Sequence, residues 1–161
     1  MTVLVLLLVL GILMFSVVVF VGAPYLPTTK KQISAGLDLL DLSPGERMLE
    51  LGAGDGRVAL AALKRGLTVT AIELNPLLCV VIFVRTLRYR RNIQIKCGNY
   101  WHVSWGEFDG MYVFLLDKYM ERLDKMLIHK YFTGKLASFA FQVPGKKAVR
   151  VRDGVYLYQY R

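Results

Sequence analysis

The chain has 161 residues, 55% of them hydrophobic, and a formal net charge of +9. A domain usually takes roughly 100 to 150 residues, so we expect one domain with a short additional segment and no second large domain. Cys79 and Cys97 form no CxxC pair, and His102 and His129 are isolated. The sequence therefore predicts no metal site and favours a reducing compartment.

The N-terminal segment is apolar throughout. No charged residue lies between Val3 and Ala23, and a helix needs about 20 residues to cross the hydrocarbon core of a bilayer. A cleaved signal peptide would begin with basic residues and have a shorter apolar run. A buried helix of a soluble protein would need a polar face. We therefore predict a transmembrane anchor over residues 1–23.

A connector over residues 24–30 follows, in which Pro24 and Pro27 favour extended backbone. The first basic residues of the chain are Lys30 and Lys31. The positive-inside rule then predicts a single-pass membrane protein whose C-terminal domain lies on the cytoplasmic side, or the matrix side in a mitochondrion. The 21 basic against 12 acidic residues favour anionic lipid headgroups, acidic proteins or nucleic acid as partners.

Residues 31–161 alternate between helix and strand patterns. Ile33, Leu37 and Leu40 recur at helical spacing, and a hairpin with an Asp153-Gly154 turn ends the chain. Between them we predict strands at 47–51, 67–73, 92–97, 110–116 and 136–143, and helices at 57–65, 76–90 and from 117 onward. This order predicts an α/β fold, in which a minimal Rossmann-like sheet is mostly parallel and ends in an antiparallel hairpin.

Several residues predict where these helices begin and end. Gly66 should close the helix predicted at 57–65, and Asn75 should cap the next helix, with Pro76 at its first position. In the last helix Met120, Leu123, Leu127 and Tyr131 share one face, and Gly134 should close it.

The segment from Glu50 to Arg57 reads Glu-Leu-Gly-Ala-Gly-Asp-Gly-Arg and lies where the first strand turns into a helix. Ligands of open α/β sheets bind at this point, and glycines let the backbone approach them closely. A dinucleotide-binding loop starting at Gly52 would have a third glycine where Arg57 stands. Glu73 ends the second strand, where an acid can accept both hydroxyls of a ribose. Loop and acid together predict a nucleoside ligand.

These residues resemble the class I, or seven-β-strand, methyltransferases. The resemblance extends to the small single-pass protein lysine methyltransferases of the mitochondrial inner membrane and their prokaryotic relatives. It is carried by Pro-Tyr-x-Pro-Thr-Thr-Lys-Lys-Gln at 24–32, Leu-Gly-x-Gly-Asp-Gly-Arg at 51–57 and Glu-Leu-Asn-Pro at 73–76. It implies S-adenosyl-L-methionine as the cofactor.

The resemblance also implies roles for individual residues. Glu50 would lie near the ammonium of the cofactor and Glu73 would hold its ribose. Asn99 stands where the family has an acid that meets the adenine amine, and its uncharged carbonyl still accepts a hydrogen bond. The implied cofactor-binding residues are Thr28, Thr29, Glu50, Gly52, Ala53, Gly54, Gly56, Glu73, Asn99 and Tyr100.

Methyl transfer to a lysine requires the neutral amine, although a lysine in water has a pKa of about 10.4. Asp117, after the fourth strand, is our candidate catalytic residue for orienting the amine, with a helix N-cap as its alternative role. Tyr25, Trp101 and Tyr119 are candidates for the wall of a lysine channel, with packing as the alternative.

We therefore expect N-methylation of a lysine on a membrane-associated protein. Methylation of a small molecule or lipid, and a non-catalytic cofactor-binding membrane scaffold, are the alternatives. A basic group at Arg85, Arg88, Arg90, Arg91 and Lys96 is interpreted as a solvated helix C-terminus. Contact of this group with nucleic acid or lipid is the other interpretation, and nucleic acid is not our expected partner.

Overall fold

The computed structural model describes Val5 and residues 28–161. Except for Val5, the predicted anchor over residues 1–23 lies outside the described residues, as does the connector up to residue 27. Within the described part, no helix is both long enough and apolar enough to cross a membrane.

Residues 28–161 contain four α-helices and seven β-strands, and one 3₁₀ turn at Leu87–Tyr89 follows the third of these helices. The helices are α1 (Lys30–Leu40), α2 (Arg57–Lys64), α3 (Pro76–Thr86) and α4 (Asp117–His129). The strands are β1 (Arg47–Leu51), β2 (Thr68–Glu73), β3 (Ile93–Cys97), β4 (Gly110–Val113), β5 (Gly134–Phe139), β6 (Arg150–Arg152) and β7 (Val155–Tyr160).

The strands form one seven-stranded sheet in the order β3-β2-β1-β4-β5-β7-β6. The first five strands along the chain are parallel to one another. β7 runs antiparallel to both β5 and β6. The structure thus confirms the mostly parallel sheet with an antiparallel C-terminal hairpin. The strand order reverses between β1 and β4, and ligands of such sheets bind outside the carboxyl ends of the strands at this point.

Apolar side chains cover both faces of the sheet. One core includes α1, α2 and α3, and the other includes α4 and the aromatic residues that precede β4. Representative members of the first core are Leu40, Val58 and Ile82, and of the second Trp105, Met120 and Leu127. The helices therefore hold the sheet from both of its faces.

Three local predictions are confirmed. The Asn75 side chain accepts a hydrogen bond of 2.9 Å from the Leu77 amide and so caps α3. Gly66 follows α2 with a φ of 84°. Asp153 and Gly154 both have positive φ, 51° and 75°, as a two-residue type I′ turn requires.

The predicted end of α4 is wrong. Tyr131 does not share the buried face, because the helix ends at His129 and Tyr131 is 89% exposed. Tyr131 has a φ of 50°, and the Phe132 amide bonds the Leu127 carbonyl at 3.0 Å. The Tyr131 amide also bonds the Ile128 carbonyl at 3.0 Å. The two hydrogen bonds form a Schellman motif, with a tyrosine in the place that glycine usually takes. Gly134, predicted to close the helix, is instead the first residue of β5.

Other element ends also differ from the prediction. β5 was expected at 136–143 but ends at Phe139, because Ala140 takes a left-handed conformation with φ of 67° and its amide bonds the Gly154 carbonyl. The helix expected to reach Arg90 ends at Thr86 and continues as the 3₁₀ turn. β4, expected to reach Leu116, ends at Val113.

We predict that Gly36→Ala destabilises the protein. A Cβ at Gly36 would overlap the ring of the buried Tyr112, with Cδ2 only 2.8 Å away. Alanine gains about 1 kcal/mol over glycine in a helix interior, but overpacking a core costs about 1 to 3 kcal/mol. Urea unfolding of the full chain in detergent should therefore show a net loss of up to about 2 kcal/mol.

The control is Ser34→Ala, an exposed position on the same helix. It should leave the free energy of unfolding unchanged or slightly increased, since no core contact is altered. A Gly36→Ala protein as stable as the Ser34→Ala protein would show that the Tyr112 ring moves aside without cost.

Candidate active site

The glycine loop lies at the carboxyl edge of the sheet, between β1 and α2. The amides of Gly52 and Ala53 both donate to the Ile72 carbonyl, at 2.9 and 3.0 Å. Because Ile72 belongs to β2, these bonds fold the loop back across the end of the neighbouring strand. The chain thus brings the loop and the last residue of β2, Glu73, together.

The Glu73 carboxylate holds the glycine loop and the start of α3 at the end of β2. One oxygen accepts the Gly54 amide and the other accepts the Asn75 amide, each at 2.8 Å. Glu73 is only 7% exposed, and charge-assisted bonds of this kind compensate the burial of a carboxylate. Each oxygen keeps a further acceptor site. Two vicinal hydroxyls can therefore bind a carboxylate whose position the protein has already set.

Glu50, the last residue but one of β1, lacks such complete hydrogen bonding. Its Oε2 atom is buried and has no hydrogen-bond partner among the described residues. Burial raises the pKa of Glu50 well above its usual range, and the charges of Glu73 and Asp55 raise it further, against a backbone hydrogen bond at Ala59. A buried acceptor without a partner is costly, so a hydrogen-bond donor or a cation from a ligand would be favoured here.

Asp55 forms an ion cluster with two arginines. Arg57 donates to Asp55 Oδ2 from Nη2 at 2.8 Å, and Arg85 of α3 donates from Nη1 at 2.5 Å. Burial by itself raises the pKa of Asp55, but the hydrogen bonds from these arginines outweigh it and hold that pKa well below its usual range. Arg57 also donates to the Thr28 carbonyl at 3.3 Å. The cluster therefore joins the loop to α3 and to the end of the connector.

The three glycines of the loop have different surroundings. Gly52 and Gly54 have positive φ, 71° and 57°, and the nearest atom to a Cβ on Gly52 would be 4.0 Å away. Gly56 also has positive φ, but a Cβ there would lie 3.0 Å from Ile82. A Cβ on Gly52 would therefore make only an ordinary contact, whereas the missing Cβ at Gly56 lets α2 pack against α3. The cofactor contact predicted for Gly56 stays a prediction.

The loop after β3 contains the residues predicted to meet the adenine. The Asn99 side-chain oxygen accepts the Trp101 amide at 2.9 Å, which leaves its second acceptor site for a ligand. Trp105 donates from its indole nitrogen to the Tyr100 carbonyl at 2.6 Å. Burial raises the pKa of the Tyr100 phenol to about 12, and the Glu73 charge contributes to this shift.

Aromatic rings and cations lie together beside this loop. The rings of Trp101 and Tyr119 meet edge to face, with centroids 5.9 Å apart. The Arg122 guanidinium lies 4.2 Å from the centre of the Trp101 ring, and the Lys118 ammonium lies 4.9 Å from that of Tyr119. This group contains two of the three predicted channel residues. The third, Tyr25, lies outside the described residues.

The remaining predicted site residues flank these elements. Thr28 is 7% exposed, whereas Thr29 is exposed and its hydroxyl donates to the Gln32 side chain. Asp117 is exposed and is the first residue of α4. Its alternative role as an N-cap is wrong, because Leu116 occupies the N-cap position. In residues 28–161, no cluster of acids, histidines and cysteines suits a metal ion.

Sequence reasoning missed two of the charged residues at this edge. Arg85 was interpreted as part of a solvated helix end, but it pairs with Asp55, thirty positions earlier. Arg122 was not singled out, although it covers the Trp101 ring. No sequence signal marks the first contact, because the two partners belong to different elements. Arg122 follows Tyr119, a predicted channel residue, by three positions, which is a weak signal that both side chains lie on the same side of α4.

One protein family matches most of the chain. The sequence profile of the ANTKMT methyltransferase domain matches residues 50–150, from Glu50 through the loop, Glu73, Asn99 and Asp117. The chain is 32% identical to a human lysine N-methyltransferase named for ATP synthase over 108 residues, which are 65% of this chain and 45% of that protein. It spans about half the length of this enzyme and of its namesakes from rat and Xenopus laevis.

Two further similarities cover more of the molecule. A protein-lysine N-methyltransferase of Saccharolobus islandicus is 28% identical over 156 residues, 84% of this chain and 92% of that protein. The solved structure of an RNA methyltransferase from Salinibacter ruber, in complex with S-adenosyl-L-homocysteine, superposes with a TM-score of 0.79. It is 22% identical and covers 84% of this chain and 94% of that one. This structural likeness establishes the fold.

We predict that Asp55→Asn weakens folding at neutral pH by about 1 to 3 kcal/mol, since the carboxylate charge that pairs with two arginines is lost and the arginines are partly solvated. The folded-state pKa lies below the unfolded value of about 3.9, so the Asp55 contribution is complete above that value and fades as the pH falls further. Denaturant unfolding from pH 7 to pH 3 should show the gap between wild type and variant narrowing below about pH 4.

Asp38→Asn is the matched control, because Asp38 also pairs with two arginines, Arg65 and Arg152, but at the surface. It should cost about 0 to 1 kcal/mol. Equal losses for the two variants would mean that the Asp55 cluster contributes no more than a surface ion pair.

Proposed function

This chain belongs to the ANTKMT methyltransferase domain family, and we propose that it transfers a methyl group from S-adenosyl-L-methionine to a lysine of a membrane-associated protein. The observation that carries this proposal is the glycine loop, which Glu73 holds close to a buried Glu50 oxygen that has no hydrogen-bond partner among the described residues. The human and the Saccharolobus lysine methyltransferases support the choice of lysine.

The donor set fits S-adenosyl-L-methionine, which when bound supplies a methyl group on a sulfonium. Glu50 would accept hydrogen bonds from its ammonium, which satisfies the orphan oxygen. Glu73 would accept from the ribose hydroxyls while it holds the loop. Gly52, Ala53 and Gly54 would lie under the amino-acid part. Asn99 and Tyr100 would contact the adenine.

The chain must also favour the neutral form of the substrate amine. Trp101 and Tyr119 would wall the lysine channel, and Arg122 and Lys118 lie against these rings. A nearby cation disfavours a second positive charge, so it lowers the pKa of an entering amine. Asp117, which opens the helix that carries both cations, would accept a hydrogen bond from the amine and orient it for in-line approach.

The segment before α1 would complete the site and tether it. Thr28 is buried and its carbonyl accepts from Arg57, so we propose that Thr28 and Thr29 close over the methionine end of the cofactor. Residues 1–23 would be a single transmembrane anchor, with the domain on the cytoplasmic or matrix side. Tethering raises the local concentration of membrane-bound substrates and lowers that of most soluble proteins.

We predict that Glu73→Ala weakens S-adenosyl-L-methionine binding by roughly 10- to 150-fold, because a hydrogen bond to a charged group contributes about 1.5 to 3 kcal/mol. Calorimetry on the full chain should show this loss and should show no binding of NAD to the wild type. Glu73→Gln keeps the shape of the side chain and one acceptor, so its affinity should lie between those of the wild type and Glu73→Ala.

The control is Glu121→Ala, which removes an exposed carboxylate from α4 and should bind like the wild type. Circular dichroism must show each variant folded, because Glu73 also anchors the loop. Wild-type affinity in a folded Glu73→Ala protein would remove the ribose role.

We predict that the purified full chain transfers label from S-adenosyl-L-methionine to a protein of intact membranes, and that mass spectrometry locates the label on lysine. Membranes extracted to leave lipid alone should accept no label, since the proposed acceptor is a protein amine. Neither should RNA.

Label in the lipid fraction or in RNA would show that the methyl acceptor is not a protein lysine. The assignment of the cofactor would be unaffected. Cofactor binding without transfer to any fraction would instead support a non-catalytic membrane scaffold.

A further inference from the structure

The side of α3 that faces away from the sheet is apolar. Leu77, Val80 and Val84 are 55%, 59% and 65% exposed, and their spacing places them on one side of the helix. Val81, Phe83 and Leu87 border this stripe and are 39%, 53% and 49% exposed. We call these six residues the α3 outer face. Contiguous exposed apolar surface of this kind marks an interaction site.

The opposite side of the same helix is already used. Cys79, Ile82 and Thr86 are buried against the sheet and α2. A surface helix of a soluble protein normally turns polar residues outward once its core side is packed. Packing within the domain therefore accounts for the inner side of α3 and leaves the outer face unexplained.

Exposed cations lie directly beyond the apolar stripe. Arg88, Arg90 and Arg91 follow α3 and are exposed, and none of them forms an ion pair with another residue of the described range. The chain has no Asp or Glu between Glu73 and Glu107. The surface beyond the C-terminal end of α3 is therefore positive, because Asp55, the acid that contacts α3, pairs with Arg57 and Arg85 and not with these three arginines.

We propose that the α3 outer face docks on an anionic lipid bilayer. The aliphatic side chains and Phe83 would enter the boundary between headgroups and acyl chains, and Arg88, Arg90 and Arg91 would bind lipid phosphates and carboxylates. Charge complementarity selects an anionic partner, and the aliphatic stripe selects one with an apolar interior. This docking is separate from the predicted anchor and does not depend on methyl transfer.

Nucleic acid fits the same face less well. Its backbone would match the arginines, but unstacked bases bind to aromatic or guanidinium planes, and five of the six residues of the outer face are aliphatic. A lipid surface can bind both the aliphatic stripe and the arginines, whereas a nucleic acid would bind only the arginines.

The test places a fluorescent probe on the outer face of the full chain. Cys97→Ser removes the exposed thiol, Cys79 is buried, and Val84→Cys provides the labelling site for an environment-sensitive dye. The protein is reconstituted in vesicles of phosphatidylcholine with or without phosphatidylserine, and some lipids have nitroxide headgroups. The Val84 probe should shift to shorter wavelength and be quenched when phosphatidylserine is present. A probe at Glu121→Cys, on the other face of the sheet, should not.

Charge variants then separate docking from tethering. Replacing Arg88, Arg90 and Arg91 by glutamine should lower the ratio of docked to undocked chains roughly fivefold for each arginine, because a cation near an anionic surface contributes about 1 kcal/mol. Lys130→Gln, Lys147→Gln and Arg161→Gln together remove the same charge from the β5 and β7 side and should leave the quenching of the Val84 probe unchanged.

Four outcomes overturn the proposal. Equal quenching without phosphatidylserine removes the role of the arginines, and a probe shift that persists in detergent means that the chain covers its own helix. A shift that grows with protein density at fixed lipid composition means that a second copy binds there. A shift produced by an oligoribonucleotide and not by vesicles assigns the face to nucleic acid.

Discussion

Three buried carboxylates surround the glycine loop, and the rest of the site depends on how each one is neutralised. Burying an ionised carboxylate without partners is prohibitive. Glu73 is satisfied by two backbone amides and Asp55 by two guanidinium groups. Glu50 keeps one buried oxygen without a partner among the described residues, and burial raises its pKa. The domain therefore compensates two of the three charges itself and leaves the third for a ligand.

The hydrogen bonds that neutralise Glu73 and Asp55 also determine the geometry of the site. Glu73 joins the end of β2 to the loop, so the carboxyl ends of β1 and β2 cannot separate without breaking a charge-assisted bond. Asp55 joins the loop to Arg85 on α3, and Arg57 joins it to the Thr28 carbonyl. Hydrogen bonds from charged side chains thus join the loop to α3 and to the end of the connector. A ligand at Glu50 would bind a preorganised surface and lose little ordering entropy.

The sequence predicted those parts of the fold that depend on local chemistry. The parallel strands, the Asn75 cap and the Asp153-Gly154 turn follow from residues a few positions apart. It failed at the end of α4, where a tyrosine, Tyr131, takes the left-handed position that glycine would normally occupy. The contact of Arg85 with Asp55 could not be predicted because the two residues lie thirty positions apart in different elements. The individual roles of the loop residues, Asn99 and Asp117 are still predictions, because they concern a ligand.

The position of α3 connects the site to the proposed bilayer contact. Asn75 caps the helix next to Glu73, and its far end leads to Arg88, at the opposite edge of the sheet. If the outer face lies in the headgroup region, the helix axis lies along the membrane, and the carboxyl edge of the sheet then opens parallel to the bilayer. A substrate lysine would be reached at the level of the headgroups. Because Asp55 ties α3 to the glycine loop, the same ion cluster that builds the site would also set its height above the membrane.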